Sequence, residues 1–133
     1  MTSKSKKILS EISAGELLDK ISILEIKLEK IKDKNSQEKI KKEYKILKEI
    51  QNSSIKLTDK IKDLFQSVKN INVELWNIED KLRIHEKNKD FSENFIELAR
   101  GVYVINDKRA EIKSEINEIL GSNIREVKQY VDY

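Results

Sequence analysis

Cysteine is absent from the sequence, which removes disulfides, thiolate metal ligands and cysteine nucleophiles together. Proline is absent too, and glycine occurs only three times, far too few turn-formers for a sandwich or barrel of short strands. No apolar run approaches the roughly 20 residues of a membrane-spanning helix. The opening stretch Met1 to Ser10 lacks the apolar segment of a secretory signal. At 133 residues the chain is sized for one domain and excludes a large multi-layer enzyme core. A soluble, cytoplasmic domain is the expectation.

What is there is an even mixture: 38% hydrophobic and 38% charged residues. That is too apolar for disorder and reads as long amphipathic helices. Lys and Arg number 27 against 24 Asp and Glu, a formal net charge of +3. The signs are interleaved, as in Glu25, Lys27, Glu29 and Lys30, rather than gathered into the stripe a phosphate-backbone binder needs, so no nucleic acid is expected as a partner. The one unmixed basic run, Lys4, Lys6 and Lys7, falls in residues 1–12, read as a flexible basic arm.

Residues 13–121 read as a single bundle domain. Ser13 and Glu16 have the spacing of a capping box, opening a first helix over about 14–33 with Leu17, Ile21, Leu24, Leu28 and Ile31 on its apolar stripe. Ser36 is placed to cap a second helix, about 37–52, which Asn52, Ser53 and Ser54 would interrupt. A third helix, about 57–88, follows a four-three pattern through Leu57, Ile61, Leu64, Val68, Ile71, Leu75, Ile78 and Leu82, with His85 at the next seam position. The fourth, about 92–120, starts at Ser92 and runs through Phe95, Leu98, Val102, Ile105, Arg109, Ile112, Ile116 and Ile119 to Gly121, placed as a left-handed cap. Residues 122–133 form a tail able to lie across the bundle. The fold class is all-α: an antiparallel helical bundle of helical hairpins with coiled-coil-like packing, the last two helices longest. The shorter first pair cannot cover the longer second pair, and a second copy of the chain is the simplest cover, so a homodimer is expected.

The informative positions are polar residues near the seam. Arg109 sits between Ile105 and Ile112, and a buried guanidinium calls for a carboxylate partner. If the turn lies near residue 90, Arg109 falls level with residue 73 or so, within one to two turns of Trp76 and Glu79. Trp76, Glu79, Asp80, Arg83, Asn106, Asp107 and Arg109 then form one patch, with Arg100 as a further anion contact. Two readings compete: a device that fixes helix register, or a cleft for an anionic sugar-like ligand. Glu79 and Arg83 have the favourable i,i+4 order for an ion pair. His85 is the only histidine, so no conventional metal set can be built, and no nucleophile context or glycine-rich phosphate loop is present. No catalytic residue and no cofactor is assigned.

The runs Leu75-Trp76-Asn77-Ile78-Glu79-Asp80 with Arg83, and Phe95 to Arg100 with Val102, Tyr103 and Asn106 to Arg109, together with Ile12 to Ile21, resemble a small uncharacterised family of bacterial and phage proteins of unknown function. The resemblance implies a carbohydrate-related context among genes for cell-envelope polysaccharide and glycosyl transfer, and supplies no catalytic residue. The functional expectation is a self-associating interaction or scaffold module, with a protein partner. The alternative is a domain that binds a sugar or nucleotide-sugar through the polar cluster.

Overall fold

A computed structural model describes residues 6–133. Four helices follow one another: α1 (Ala14–Lys30), α2 (Lys34–Ser54), α3 (Asp59–Lys87) and α4 (Glu93–Leu120). The all-α bundle and its two long final helices are as the sequence predicts. The packing is less symmetric than two equal hairpins. α1 lies against all three other helices, whereas α2 touches α1 alone. A central helix needs apolar residues on several sides, and α1 has them: Leu17, Leu18, Ile21, Leu24 and Ile26 are all buried. The core proper joins Leu18 of α1 to Ile61, Leu64 and Val68 of α3 and Ile116 of α4. Each such side chain contributes about 1.5–3 kcal/mol on burial.

The helix ends show where local chemistry decides. The Ser13 hydroxyl accepts the Glu16 amide at 3.1 Å, as expected. The reciprocal half of the capping box is missing, because the Glu16 carboxylate turns to Lys113 of α4 at 2.7 Å. α2 begins earlier than Ser36 because Asp33 is its cap, accepting the Ser36 amide at 2.9 Å. It also continues through Asn52, Ser53 and Ser54. Three small polar residues at an exposed helix end do not break it, since Ser53 returns its hydroxyl to the Ile50 carbonyl. The interruption falls at residues 55–58, and Thr58 caps α3. Leu57 therefore lies outside the helix and is 37% exposed, not in the seam.

α3 and α4 are joined by a tight turn. Lys89 sits at φ 53°, and the Asp90 amide reaches the His85 carbonyl at 2.9 Å. Ser92 occupies the cap position of α4 but makes no side-chain cap bond; the Asp90 carboxylate accepts the Ser92 amide instead, at 3.1 Å. Phe91 packs edge-on against Phe95, ring centres 5.3 Å apart, stapling the turn. Gly121 closes α4 at φ 63°, with the Ser122 amide bonded to the Asn117 carbonyl. Of the basic arm, Lys6 and Lys7 are exposed and Lys4 lies outside the described residues.

Candidate functional site

α1 runs parallel to α3 and antiparallel to α4, and a row of polar groups follows the line where the three meet. At its lower end the Gly15 amide donates to the Asn117 side-chain oxygen at 2.7 Å, and the Ala14 amide to the Ser122 hydroxyl at 2.9 Å. With Ser13 serving Glu16 and Leu17, every amide of the first turn of α1 is satisfied. One turn up, Lys113 holds both Glu16, at 2.7 Å, and the buried Asp19, at 3.3 Å. Burial alone would raise the Glu16 carboxyl, but the Lys113 hydrogen bond and charge, helped by Lys20 and Arg109, outweigh it and hold the group below its usual range. Lys113 is the mirror case: burial pulls the ammonium down, and the Glu16 and Asp19 carboxylates carry it above its usual value.

Next comes Asn72, 5% exposed. Its amide nitrogen donates to Asp19 at 2.7 Å and to the Ser22 hydroxyl at 2.8 Å. Its oxygen accepts Arg109 at 2.8 Å, and Arg109 also donates to Asn106 at 2.8 Å. The register predicted for Arg109, level with residue 73 or so, is met by Asn72. The expected carboxylate partner is not: within 4.0 Å, the half-buried guanidinium has amide oxygens and no acid among the described residues. No buried side-chain nitrogen or oxygen among the described residues is left without a hydrogen bond.

Above this row opens a cleft of about 300 Å³. Ile23 and Ile26 of α1 and Leu75 and Trp76 of α3 form its apolar lining; Glu79, Asp80, Arg83 and Arg109 supply the charge. Five of the eight residues singled out in the sequence thus line one cavity. Asn106 borders it through Arg109. The remaining two lie elsewhere. Arg100 is exposed and pairs with Glu97 at 2.9 Å. Asp107 accepts the Tyr133 hydroxyl at 2.6 Å, where Tyr133 also stacks edge-on against Tyr103. Glu79 and Arg83 make no ion pair with each other, although their spacing allows one. His85 is held at the hairpin turn by Asp90, Nδ1 to Oδ2 3.2 Å, and packs near Phe95, consistent with a seam-edge residue.

Asp19, Ser22, Asn72 and Lys113, which organise the site from below, are not apparent from the four-three reading of the seam. Asn72 lies four residues after Val68 and three before Leu75, which places it on the inner face. Ile71 competes for the same turn and is only half-buried. A second concavity, about 550 Å³, lies at the opposite end between the start of α1 and the end of α2, where Ile46 and Ile50 are partly exposed and Ile8 and Leu9 stand open. Among the described residues no helix is long and apolar enough to cross a membrane, and no group of three His, Asp or Glu is placed to hold a metal ion.

Together, fold and cleft define a small helical bundle with a charged cavity beside its central helix. The match to a family model extends over residues 8–132: the chain belongs to a family of unknown function, DUF6165. No curated protein and no solved structure matches it.

Proposed function

We propose that the protein is a helical interaction module that self-associates through the distal turns of its α3–α4 hairpin. One observation carries this reading. α1, with 17 residues, spans about 25 Å, and α3, with 29, about 43 Å. α1 ends at Lys30 near the cleft, so the last turns of α3 and the first turns of α4 pack on each other alone. Their outer faces carry Ile84, Phe91 and Ile96, each more than half exposed, with Ile78, Leu82, Phe95 and Leu98 only half-buried between them. Two such hairpins related by a two-fold axis would complete one four-helix layer, each covering the other's open side. Charge is no obstacle, because both signs alternate along the hairpin (Glu79, Lys81, Arg83, Glu86, Lys87, Glu93, Glu97, Arg100). The register device and the interface divide the long helices between them: the polar row fixes how α1, α3 and α4 meet, leaving the free end for a partner.

The test is a light-scattering mass at micromolar concentration. The reading expects twice 15.6 kDa for the native chain, and 15.6 kDa for Ile84→Asp combined with Ile96→Asp. Since both positions are more than half exposed, the variant is expected to melt within a few degrees of the parent once both are monomeric. A native monomer, or a double variant that stays dimeric, overturns the reading.

A further inference from the structure

The end of the bundle away from the hairpin tip carries apolar surface and charge that the fold leaves open. Residues 6–12 border the concavity between α1 and α2 and make no backbone-to-backbone hydrogen bond. Ile8 and Leu9 on this segment are 92% and 90% exposed, directly after the exposed Lys6 and Lys7. Ile46 and Ile50 of α2 line the same concavity and are 49% and 43% exposed. Along α2 they extend a row that begins with Lys39 and Lys42, all exposed and spaced by three and four residues, so the four share one outward face. α2 touches α1 alone, and nothing else in the chain packs on that face. The charge is open as well. Residues 6–12 and α2 together hold eight lysines against four glutamates. None of the eight has a carboxylate within 4.0 Å among the described residues. The acids nearby serve elsewhere: Glu25 and Glu29 hold Lys69, Asp33 caps α2, and Glu11 accepts Asn123 at 2.8 Å. Beyond residue 58 the balance reverses to 13 basic residues against 15 acidic, and seven of those cations are paired.

We propose that this face docks on an anionic lipid surface. Ile8, Leu9, Ile46 and Ile50 enter the boundary between headgroups and acyl chains, and the surrounding lysines meet the headgroup phosphates. Attachment of this kind adds apolar burial to charge attraction, and both kinds of group stand here side by side. A nucleic-acid backbone would engage the lysines and leave the four aliphatic side chains in water. A folded partner needs a surface of fixed, complementary shape, whereas Ile8 and Leu9 stand on a segment that no backbone bond holds. A lipid surface makes no such demand. Glu43 and Glu49 flank the row on α2, so docking is reversible and depends on acidic lipid.

The test is co-sedimentation of the full chain with vesicles of phosphatidylcholine alone and of phosphatidylcholine mixed with phosphatidylglycerol. Binding to the mixed vesicles only is expected, and it weakens as salt rises. Lys39→Gln with Lys42→Gln should weaken it about fivefold per lysine, roughly 25-fold together. Ile8→Ser with Leu9→Ser should weaken it at least about tenfold. All four side chains are exposed, so both double variants should melt with the parent. Insertion is read separately: the chain has no cysteine, and an environment-sensitive dye at Ser10→Cys should shift to the blue on mixed vesicles, while the same dye at Lys87→Cys should not. No binding to mixed vesicles, equal binding to phosphatidylcholine alone, double variants that bind like the parent, or an unshifted dye at position 10 would each overturn the proposal. Tighter binding to duplex DNA or to polyglutamate than to the vesicles would overturn it as well, by assigning the basic face to a soluble polyanion. The variant Ile84→Asp, Ile96→Asp alters the other end of the bundle, so loss of dimer mass there and loss of vesicle binding here are told apart.

Discussion

Gly15→Ala should reverse the usual sign of a glycine-to-alanine change in a helix. Elsewhere in a helix that change is worth up to about 1 kcal/mol in favour of alanine. At Gly15 an added Cβ would stand 2.6 Å from the Lys113 carbonyl oxygen, 3.1 Å from its carbon and 2.9 Å from the Asn117 side-chain oxygen. The first two atoms belong to the backbone of α4, which cannot swing aside, so relief requires α1 and α4 to part. Overpacking of this kind costs about 1–3 kcal/mol. Parting the helices also stretches the 2.7 Å bond from the Gly15 amide to Asn117, buried and worth about 1–3 kcal/mol when left unmade. Set against a reduced helix gain in the first turn, the net loss is about 2–4 kcal/mol, or roughly 8–15 °C in Tm for a domain of this size. Gly101→Ala is the internal control: its Cβ would meet only the Ile78 Cδ1 atom, at an ordinary 3.5 Å. It should raise Tm by a few degrees. Circular dichroism melts of the two variants beside the parent decide the matter. A Gly15→Ala protein as stable as the parent would refute the claim that α1 and α4 are pressed together at this point.

Three further outcomes follow from the same geometry. Asn72→Ala strips a donor from buried Asp19 and Ser22 and an acceptor from Arg109, and should cost about 3–5 kcal/mol in a urea titration; a loss under about 1 kcal/mol would mean the polar row is ornamental. Lys89→Gly relieves the left-handed backbone at φ 53° and gives up only an exposed pair with Glu86, so Tm should rise, by about 1 kcal/mol in stability, where no change would argue against strain at the turn. Glu16 has its carboxyl held below the ordinary value of 4.5, so its ion pair with Lys113 contributes fully above that pH and is lost as pH falls through the depressed value. Melting temperatures measured down the acid limb should therefore fall less steeply for Glu16→Gln than for the parent, and parallel limbs would sink the assignment.

The sequence carries the architecture because the apolar stripes of α3 and α4 are long and keep their spacing, and Ser13, Phe91 and Gly121 punctuate the chain with distinct chemistry. Pairing the two long helices through a turn near residue 90 also places Arg109 correctly opposite Asn72. What is not legible is the role of α1. A helix packed on three sides needs more than one stripe: Leu18 widens the first, but Ile26 belongs to a face that a hairpin model leaves outside. The buried polar row is hidden for the same reason. Asp19 and Ser22 look like the solvent side of an amphipathic helix until α3 and α4 close over them. Helix ends depend on competition among neighbouring polar residues, so Asp33 outbids Ser36, and Asp90 does for the Ser92 amide what no hydroxyl does. The cleft was half legible: Trp76, Glu79, Asp80, Arg83 and Arg109 come together because they lie on facing turns, while Arg100 and Asp107 share the spacing but point to other sides.

The absence of cysteine makes the central claim directly measurable, since one introduced thiol can be labelled without background. A nitroxide at Lys87→Cys, on the exposed end of α3, and one at Lys45→Cys, on the exposed side of α2, are compared by double electron–electron resonance on otherwise native protein. Self-association through the hairpin predicts a defined intermolecular distance for the label at position 87, abolished by Ile84→Asp with Ile96→Asp. No dipolar modulation at position 87, or a defined distance at position 45 alone, would contradict it and move the interface to the apolar groove at the other end of the bundle.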